Sequence, residues 1–443
     1  MLKVITYGTY DMLHYGHINL LKRAKNLGDY LIVGITADDF DKARGKINVK
    51  QSLIERIEAV KSTGLADKII VEEYEGQKID DICKYDIDIF TIGSDWSGKF
   101  DYLKEYCKVV YLERTQGVSS SKLRTQERNI RFGLVGESQF LNKVVAESKY
   151  VNGINIIGIY TKNIHVMPDS LKKLDIITDN FDILIHEVDA VYIRSLPELH
   201  YLQIKKALES GKHVLCESPI VLKQEECKKL FDIAQSNNLI LMEAIKTAYS
   251  TAFSRLLLLI KSGKIGHVVS VDATCTSLRK CKNFSTEWNG IFEWGPTALL
   301  PVFQILGTKY KNYNIVSHFY DIDRKYDSFT KIDFIFDNAV ANIKIGDGVK
   351  SEGELIISGT DCYVYVPAPW WKMDYFELRY ENPLENKRYF YQLDGEGIRY
   401  ELVAFIRAIE SGKIVTSINK EITYEITSIM EDFINRRNMT IIL

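Results

Sequence analysis

The sequence predicts an α/β protein with two parallel-sheet units followed by a third, sheet-rich domain. Short apolar runs alternate with helical stretches, which is the pattern of βαβ units. The alternation begins at Val4–Tyr7 and begins again at Ile130–Gly136, where a strand runs into a glycine turn. Beyond Ala248 strand-like runs dominate, and His267–Thr276 alternates apolar and polar residues as a half-buried strand does.

In the first domain, the helix after the first strand has its apolar stripe at Ile18, Leu21 and Ala24. Further strands and helices are predicted, in order, at Tyr30–Thr36, Leu53–Lys61, Lys68–Val71, Ile79–Lys84, Ile89–Ile92 and Lys108–Leu112. The third domain has further strand-like runs at Ile332–Phe336, Val340–Ile345 and Glu354–Ser358. Since 443 residues exceed what one hydrophobic core supports, three domains are predicted, at residues 1–126, 127–247 and 248–443.

The composition is that of an ordinary globular protein and disfavours several kinds of partner and site. Apolar residues make up 46% and charged residues 26% of the chain, and the net charge is −2, as in ordinary globular proteins. Nucleic acid is not expected as a partner, because backbone phosphates require a concentrated basic surface. The seven cysteines are scattered without a CxxC pair, which disfavours disulfides and structural zinc and indicates a reducing cytoplasm. No apolar run is long enough for membrane insertion.

The first domain has two histidines in His14-Tyr15-Gly16-His17, directly after the first strand and at the head of a helix. This spacing puts both rings on one side of the turn, where the helix amino terminus adds partial positive charge and free N–H groups. Gly16 allows close backbone approach to a phosphate, and the preceding loop Gly8–Asp11 could cradle further phosphate oxygens. Such a site suits nucleotidyl transfer.

This domain resembles the HxGH nucleotidyltransferases, and most closely the glycerol-3-phosphate cytidylyltransferases. The resemblance rests on ordered stretches at Thr6–Asp11, His14–His17, Gly28–Leu31, Gly93–Asp101 and Arg114–Ser121. The last stretch matches the family motif RTxGIST with two conservative changes. The match covers nearly all of residues 1 to 125 and implies a Rossmann-like nucleotidyltransferase fold.

The resemblance also implies roles for individual residues. His14 and His17 would polarise the phosphates of CTP and stabilise the transition state, with Lys46 and Arg114 as further catalytic residues. Asp11 would help to hold Mg²⁺. Arg44 and Lys78 would contact the acceptor phosphate. The implied nucleotide-binding residues are Gly8, Thr9, Tyr10, His14, Tyr15, Gly16, His17, Lys46, Asp95, Arg114, Thr115, Gly117, Val118, Ser119, Ser120 and Ser121.

From about residue 130 the chain resembles the glucose–fructose oxidoreductase and inositol dehydrogenase family. The resemblance rests on Asp189–Ile193, Pro197–Tyr201, Ala207–Pro219 and Gly263–Val268. It implies a second Rossmann domain with NAD(P) as cofactor, followed by an α+β sheet domain.

The sequence departs from this family at its cofactor-binding and catalytic motifs. In the phosphate loop, Ser138 and Leu141 stand where the GxGxxG or GxGxxA pattern has small residues, and Glu137 adds a carboxylate where pyrophosphate would lie. The lysine of the family's EKP motif is replaced by Ser218. The histidine of its D-x-G-x-H element is missing from Glu293–Thr297. These changes count against NAD(P), although Lys246 or His213 could replace the lost proton donor.

Two hypotheses therefore remain for residues 127–443. The region is a structural or regulatory appendage, which binds a sugar phosphate, joins protomers or docks a partner enzyme. Alternatively, it is an active NAD(P)H-dependent reductase that supplies the polyol phosphate.

For the whole chain, the sequence predicts transfer of CMP from CTP to a small polyol phosphate, by default glycerol 3-phosphate. The products would be a CDP-polyol and pyrophosphate, for surface polysaccharide or teichoic-acid-type synthesis. An adenylyltransferase using ATP, a sugar-nucleotide oxidoreductase and a non-catalytic assembly protein are the alternatives. A homo-oligomer is expected from resemblance alone, because both families commonly form dimers.

Overall fold

The structure is a computed structural model that forms two compact units, Met1–Asn129 and Ile130–Leu443. It describes residues 1–37, 49, 51–73, 76–113, 130–136, 139–151, 153–278, 290–320, 326–391, 393, 395–412 and 418–442. In this part of the chain, no helix is both long and apolar enough to cross a membrane. The further boundary predicted after residue 247 stays a prediction.

The amino-terminal unit contains a five-stranded parallel sheet with the strand order β3-β2-β1-β4-β5. Its strands are β1 (Lys3–Gly8), β2 (Tyr30–Thr36), β3 (Lys68–Glu72), β4 (Ile89–Gly93) and β5 (Lys108–Leu112). Its described helices are α1 (Tyr15–Lys25), α2 (Leu53–Ser62) and α3 (Gln77–Tyr85). The sequence predicted each of these elements to within a few residues.

Both faces of this sheet are covered, because consecutive side chains of a strand point to opposite faces. Val4 of β1 packs in a cluster with Leu21 of α1 and Val60 of α2. Its neighbour Ile5 packs in a separate cluster that includes Ile82 of α3. The loops that follow the strands are therefore held at one edge of a sheet buried on both faces.

The carboxyl-terminal unit begins with a six-stranded parallel sheet of order β11-β10-β9-β6-β7-β8. Its strands are β6 (Ile130–Gly136), β7 (Ile154–Tyr160), β8 (Ile176–Thr178), β9 (Ala190–Arg194), β10 (His213–Glu217) and β11 (Leu241–Ala244). The helices along it are α4 (Phe140–Ser148), α5 (Phe181–Glu187), α6 (Pro197–Glu209) and α7 (Gln224–Ser236). This is the second Rossmann-like sheet that the restart at Ile130 predicted.

The rest of this unit is a nine-stranded mixed sheet with the order β19-β18-β17-β16-β12-β15-β14-β13-β20. Its strands are β12 (Val268–Ser277), β13 (Asn312–Phe319), β14 (Asp327–Ile335), β15 (Val340–Asp347), β16 (Leu355–Gly359), β17 (Tyr363–Val366), β18 (Tyr375–Arg379), β19 (Lys387–Phe390) and β20 (Met439–Ile442). Its helices are α8 (Thr251–Lys261), α9 (Ile291–Leu306), α10 (Ile398–Ser411) and α11 (Lys420–Ile434). The predicted α/β fold class, with two Rossmann-like parallel sheets and a sheet-rich region, is confirmed.

A buried ion pair ties α4 to α10. Arg399 of α10 donates two hydrogen bonds to the Glu147 carboxylate of α4, at 2.8 and 3.0 Å. The side chains of both residues are at least 90% buried. The Arg399 guanidinium also lies 4.2 Å from the centre of the Tyr150 ring. The helix after β6 is thereby attached to a helix from the end of the chain.

We expect Arg399→Met to weaken the contact between α4 and α10 by about 3 kcal/mol, because Glu147 would remain buried without its charged partner. Hydrogen exchange measured by mass spectrometry in peptides of the two helices tests this. Lys311→Met is the matched control, because Lys311 pairs with Asp337 on the exposed surface of the same unit. Equal protection of both helices in the Arg399 variant and the control would contradict the prediction.

Candidate functional site

The candidate site of the amino-terminal unit lies where the strand order of the parallel sheet reverses. From β1 the chain proceeds to β2 and β3 on one side and then crosses to β4 on the other. In open parallel sheets, the crevice outside the carboxyl ends of the two strands at such a switch point is the usual ligand site. His14 and His17 follow β1, and the exposed Asp95 follows β4.

The loop between β1 and α1 has an unusual backbone conformation. Tyr10 and Met12 have φ values of 53° and 49°. These values lie in the left-handed region of backbone conformation, which residues other than glycine rarely adopt. The Tyr10 ring folds back over Gly8, where a Cβ atom would lie 2.9 Å from the ring. Thr9, Tyr10 and Asp11 are all buried. Surrounding contacts must hold a loop of this shape, and such backbone strain clusters at functional sites.

His14 is the N-cap residue of α1. Its Nδ1 accepts a hydrogen bond from the backbone N–H of Gly16, at 3.0 Å. Because Nδ1 is an acceptor here, the proton of the neutral ring lies on Nε2, which becomes a donor. The helix capping bond thus sets the tautomer of His14 and provides an N–H group for a phosphate oxygen.

His17 lies one turn further along α1 and stacks on His14. The ring centres are 3.9 Å apart and the planes differ by 18°. The Tyr10 ring meets His17 edge-on, with centres 5.5 Å apart. The first turn of α1 has no acidic residue, and its last turn carries three basic residues. The structure therefore brings the two predicted histidines together at the positive end of the helix dipole.

Sequence reasoning missed Arg56, whose side chain holds the β1–α1 loop. Arg56 is fully buried in α2, and its Nη1 donates to the carbonyl oxygens of Thr9 and Thr36, at 2.7 and 2.9 Å. Its Nε donates to the carbonyl of Gln51, at 3.2 Å. The signal was present, because Arg56 lies four residues before the buried Val60 and so shares the apolar face of the helix.

Asp11 is also part of this network. Its Oδ1 accepts a hydrogen bond from the backbone N–H of Gln51, at 3.0 Å, and the Gln51 side chain accepts from Met12 N at 2.7 Å. Among the described residues no group of three or more His, Cys, Asp or Glu side chains could hold a metal ion. This donor set fits Mg²⁺ if the ion takes most of its ligands from nucleotide phosphates, as Mg²⁺ commonly does. The role of Asp11 in metal binding stays a prediction.

Lys78 lies in the interior of the unit, where it is paired with Glu72. Its Nζ is 4.6 Å from the centre of the Tyr7 ring. The Tyr7 hydroxyl donates to Asp81 at 2.8 Å, and burial together with this hydrogen bond raises the pKa of Tyr7. A contact between Lys78 and the acceptor, as predicted, requires the lysine to exchange Glu72 for a phosphate.

The remaining predicted residues fall into two groups. Tyr15, the first residue of α1, is 62% exposed, and Gly16 follows it in the same turn. The others lie outside the described residues, so their predicted roles stay predictions: Arg44, Lys46, Arg114, Thr115, Gly117, Val118, Ser119, Ser120 and Ser121.

In the carboxyl-terminal unit, the described residues fit a dinucleotide site in part. Gly136 ends β6 with a φ of 138°, and a Cβ atom there would lie 2.1 Å from the carbonyl oxygen of Arg194. The first glycine of the fingerprint is therefore required. Leu141 is fully buried where the fingerprint has a small residue that lets the helix approach the strand. Of the described residues in this loop, Gly136 therefore fits a dinucleotide and Leu141 does not.

His213 and Lys246, the two candidate replacements for the lost proton donor, lie at opposite ends of the strands of the second parallel sheet. His213 begins β10, about 13 Å along the strand from its carboxyl end. It therefore cannot act beside Ser218, and that part of the prediction is wrong. Lys246 follows β11 at the carboxyl edge. Ser218 there is hydrogen-bonded to Glu243, and burial raises the pKa of Glu243 to about 7.

Comparison with known proteins agrees with the geometry of the amino-terminal unit. The cytidylyltransferase-like family model matches residues 5–126. The chain is 52% identical over 124 residues to the glycerol-3-phosphate cytidylyltransferase of Bacillus spizizenii, which covers 28% of this chain and 95% of that protein. The Staphylococcus aureus enzyme of the same name is 47% identical over 126 residues, again with 95% of its length covered. The chain belongs to the cytidylyltransferase-like family. It is accordingly a nucleotidyltransferase.

The carboxyl-terminal unit matches a different family. The model of the oxidoreductase family with an NAD-binding Rossmann fold matches residues 130–245. A crystal structure of a 3-ketoreductase from Actinomadura kijaniata, in complex with NADP and TDP-benzene, superimposes with a TM-score of 0.63 and 16% identity. The match covers 71% of this chain and all of that one. At this level of identity the likeness concerns the fold alone.

We expect Arg56→Lys to lower kcat for nucleotidyl transfer about tenfold to hundredfold, because a lysine cannot donate to three carbonyls in a fixed fork and the histidine loop would shift. KM should change less, since Arg56 holds the loop and not the substrate. Steady-state pyrophosphate release measures both, with Arg23→Lys as the matched control on the same unit. A rise in KM with unchanged kcat would contradict the assignment.

Two substitutions of His14 should separate its capping bond from its chemistry. Asn is a good N-cap residue, so His14→Asn should keep α1 stable, whereas His14→Ala should lose about 1 kcal/mol. Both variants lack the Nε2 donor and should lose activity. Thermal unfolding and pyrophosphate release, measured on the same samples, test this. An active, stable Asn variant would show that His14 acts only as the helix cap.

Proposed function

We propose that the amino-terminal unit transfers CMP from CTP to a small polyol phosphate, with glycerol 3-phosphate as the first choice. The observation that carries the proposal is identity of about one half with glycerol-3-phosphate cytidylyltransferases over 95% or more of their length. The stacked histidines at the switch point of the sheet agree with it, because that crevice is where such a fold binds nucleotides.

The proposed reaction is a direct displacement at the α-phosphorus of CTP. An oxygen of the acceptor phosphate forms a new bond to the α-phosphorus, and the bond to the oxygen that bridges to the β-phosphorus breaks. Pyrophosphate leaves with the electron pair, and the product is a CDP-polyol. Negative charge grows on the bridging and non-bridging oxygens as the bond breaks.

The chain's own groups would stabilise this charge. The Nε2–H of His14, His17 and the amino terminus of α1 would donate to the triphosphate oxygens. Mg²⁺, when bound with CTP, would neutralise phosphate charge and polarise the reacting centre. Lys46 and Arg114 would add positive charge at the nucleotide, and Arg44 and Lys78 at the acceptor. Because His14 and His17 are held at the start of α1 before the reaction, these two groups need little reorganisation during bond cleavage.

Three further points belong to the same proposal. A CDP-polyol is an activated donor, so we place the chain in surface polysaccharide or teichoic-acid-type synthesis. The carboxyl-terminal unit would serve as a structural or regulatory part, and we expect a homo-oligomer. An active NAD(P)H-dependent reductase in that unit and a preference for ATP are the alternatives that the assay must separate.

The full chain should release pyrophosphate with Mg²⁺, CTP and glycerol 3-phosphate, and His17→Ala should lower kcat about 10²- to 10³-fold, because it removes a donor to the developing charge. His165→Ala, an exposed histidine of the other unit, is the matched control. The panel includes ATP, ethanolamine phosphate and a keto-sugar phosphate with and without NADPH.

Each outcome of this panel has a definite meaning. Release with ATP but not CTP would replace the nucleotide in the proposal. Release only with the keto-sugar phosphate and NADPH would establish a reductase in the carboxyl-terminal unit. No release with any pair of substrates would overturn the proposal.

A further inference from the structure

Three lysines of the carboxyl-terminal unit converge on one carboxylate. The Nζ atom of Lys143 is 3.1 Å from Oε1 of Glu396, and those of Lys372 and Lys246 are 3.0 and 3.8 Å from Oε2. We call Lys143, Lys246 and Lys372 the lysine cluster. One carboxylate thus lies within 4 Å of three lysine side chains, so these four side chains hold more basic than acidic groups.

The lysine cluster is assembled from distant parts of the unit. Lys143 is in α4, which follows β6, and Lys246 follows β11 at the carboxyl edge of the parallel sheet. Lys372 belongs to a 3₁₀ turn, Trp370–Lys372, that precedes β18 of the mixed sheet. The cluster therefore lies where the two sheets of this unit meet, at the edge at which α/β folds bind ligands. The three lysines and Glu396 are between 26% and 49% exposed, so a solute can reach them.

Two further carboxyl groups, Glu217 and Glu401, lie near Lys246. Burial raises the pKa of both Glu217 and Glu401. Burial also lowers the pKa of Lys246, against the opposing effect of Glu217, Glu401 and Glu396. An anion bound beside Lys246 would favour its charged form.

Glu401 provides a second observation that points to a ligand. It is 1% exposed, and its Oε2 has no hydrogen-bond partner within the described part of the chain. The Tyr192 hydroxyl lies within hydrogen-bond distance of Glu217 and, at 3.3 Å, of Glu401. Since a hydroxyl donates one hydrogen, both contacts are satisfied only if one carboxyl is protonated. A buried polar oxygen without a partner costs stability and suits a ligand hydroxyl or a water molecule.

Glu396 lies in the turn before α10, between Gly395 and Gly397, which have φ values of 60° and 82°. These positive φ values favour glycine at both positions. A Cβ atom at Gly395 would lie 2.1 Å from the Glu147 carboxylate, so this turn packs against the pair of Glu147 and Arg399. The turn thus places Glu396 beside the lysines, and release of the lysines needs only a rotation of its side chain.

We propose that the lysine cluster binds a phosphate monoester and that Glu396 occupies the place of the phosphate in the free chain. A phosphate carries close to two negative charges and three acceptor oxygens, so it matches three ammonium groups better than one carboxylate does. The unpartnered oxygen of Glu401 would meet a hydroxyl of the same ligand. The ligand class is a polyol or sugar phosphate. The site is independent of nucleotidyl transfer by the other unit.

The test is a calorimetric titration of the full chain with glycerol 3-phosphate, inorganic phosphate, glycerol and NADP⁺. Glu396→Gln removes the internal competitor and should tighten phosphate binding about tenfold, a gain that misfolding cannot produce. Lys372→Gln should weaken it about tenfold, since one charge-assisted hydrogen bond is lost. Lys311→Gln, on the exposed surface of the same unit, should have no effect. Glycerol should not bind.

Both test variants leave residues 1–129 unchanged, so phosphate binding by the amino-terminal unit is a common background in every titration. Failure of the proposed cytidylyl transfer would leave these differences unaffected. Unchanged or weaker binding by Glu396→Gln would overturn the proposal and leave Glu396 as an ordinary ion-pair partner. Binding of NADP⁺ alone, without either phosphate or glycerol 3-phosphate, would also overturn it and assign the lysines to a dinucleotide.

Discussion

In each parallel sheet of this chain all strands end at the same edge, and the polar groups of the candidate sites are found there. The constraint comes from the backbone, because parallel strands must be joined by crossovers and the loops that follow the strands gather on one side. In the amino-terminal unit that edge holds His14, His17 and Asp95. In the carboxyl-terminal unit it holds Glu217 and Lys246. The two units therefore present different chemistry from the same kind of position, and strand order decides where each site lies.

The histidine loop shows how such an edge is held rigid. A loop with left-handed Tyr10 and Met12 is not the conformation that these residues adopt on their own. The guanidinium of Arg56 holds the loop by donating a hydrogen bond to the carbonyl of Thr9. Asp11 accepts a hydrogen bond from the backbone N–H of Gln51, just before α2. A fully buried arginine costs desolvation free energy, which hydrogen bonds to several carbonyls offset. Nucleotidyl transfer depends on the positioning of groups more than on covalent chemistry by the protein. A loop that is held rigid at a cost in folding free energy is consistent with this function.

The elements of the parallel sheets could be predicted because apolar periodicity and glycine turns are local signals, as at Val4–Tyr7 and Ile130–Gly136. Helix α9 could not be predicted in the same way, since it contains Pro296 and Pro301, which locally disfavour a helix. Its burial in the core of the mixed sheet overrides that preference. The parallel pairing of β12 with β15 joins residues about 70 positions apart, and no local pattern encodes it. For the site, the HxGH motif located the histidines, but the role of Arg56 depends on three carbonyls brought together only by folding.

The altered motifs of the carboxyl-terminal unit are better explained by a changed site than by a decaying one. Its framework is intact, including both of its sheets and the buried pair of Arg399 and Glu147. A scaffold that had lost every ligand would be stabilised if buried carboxyl groups such as Glu217 and Glu401 became apolar, because their desolvation costs several kcal/mol. They are instead grouped with Lys246 at the ligand-binding edge of the sheet. Departures from local rules are expected at functional sites, so these buried charges argue that the edge still binds something.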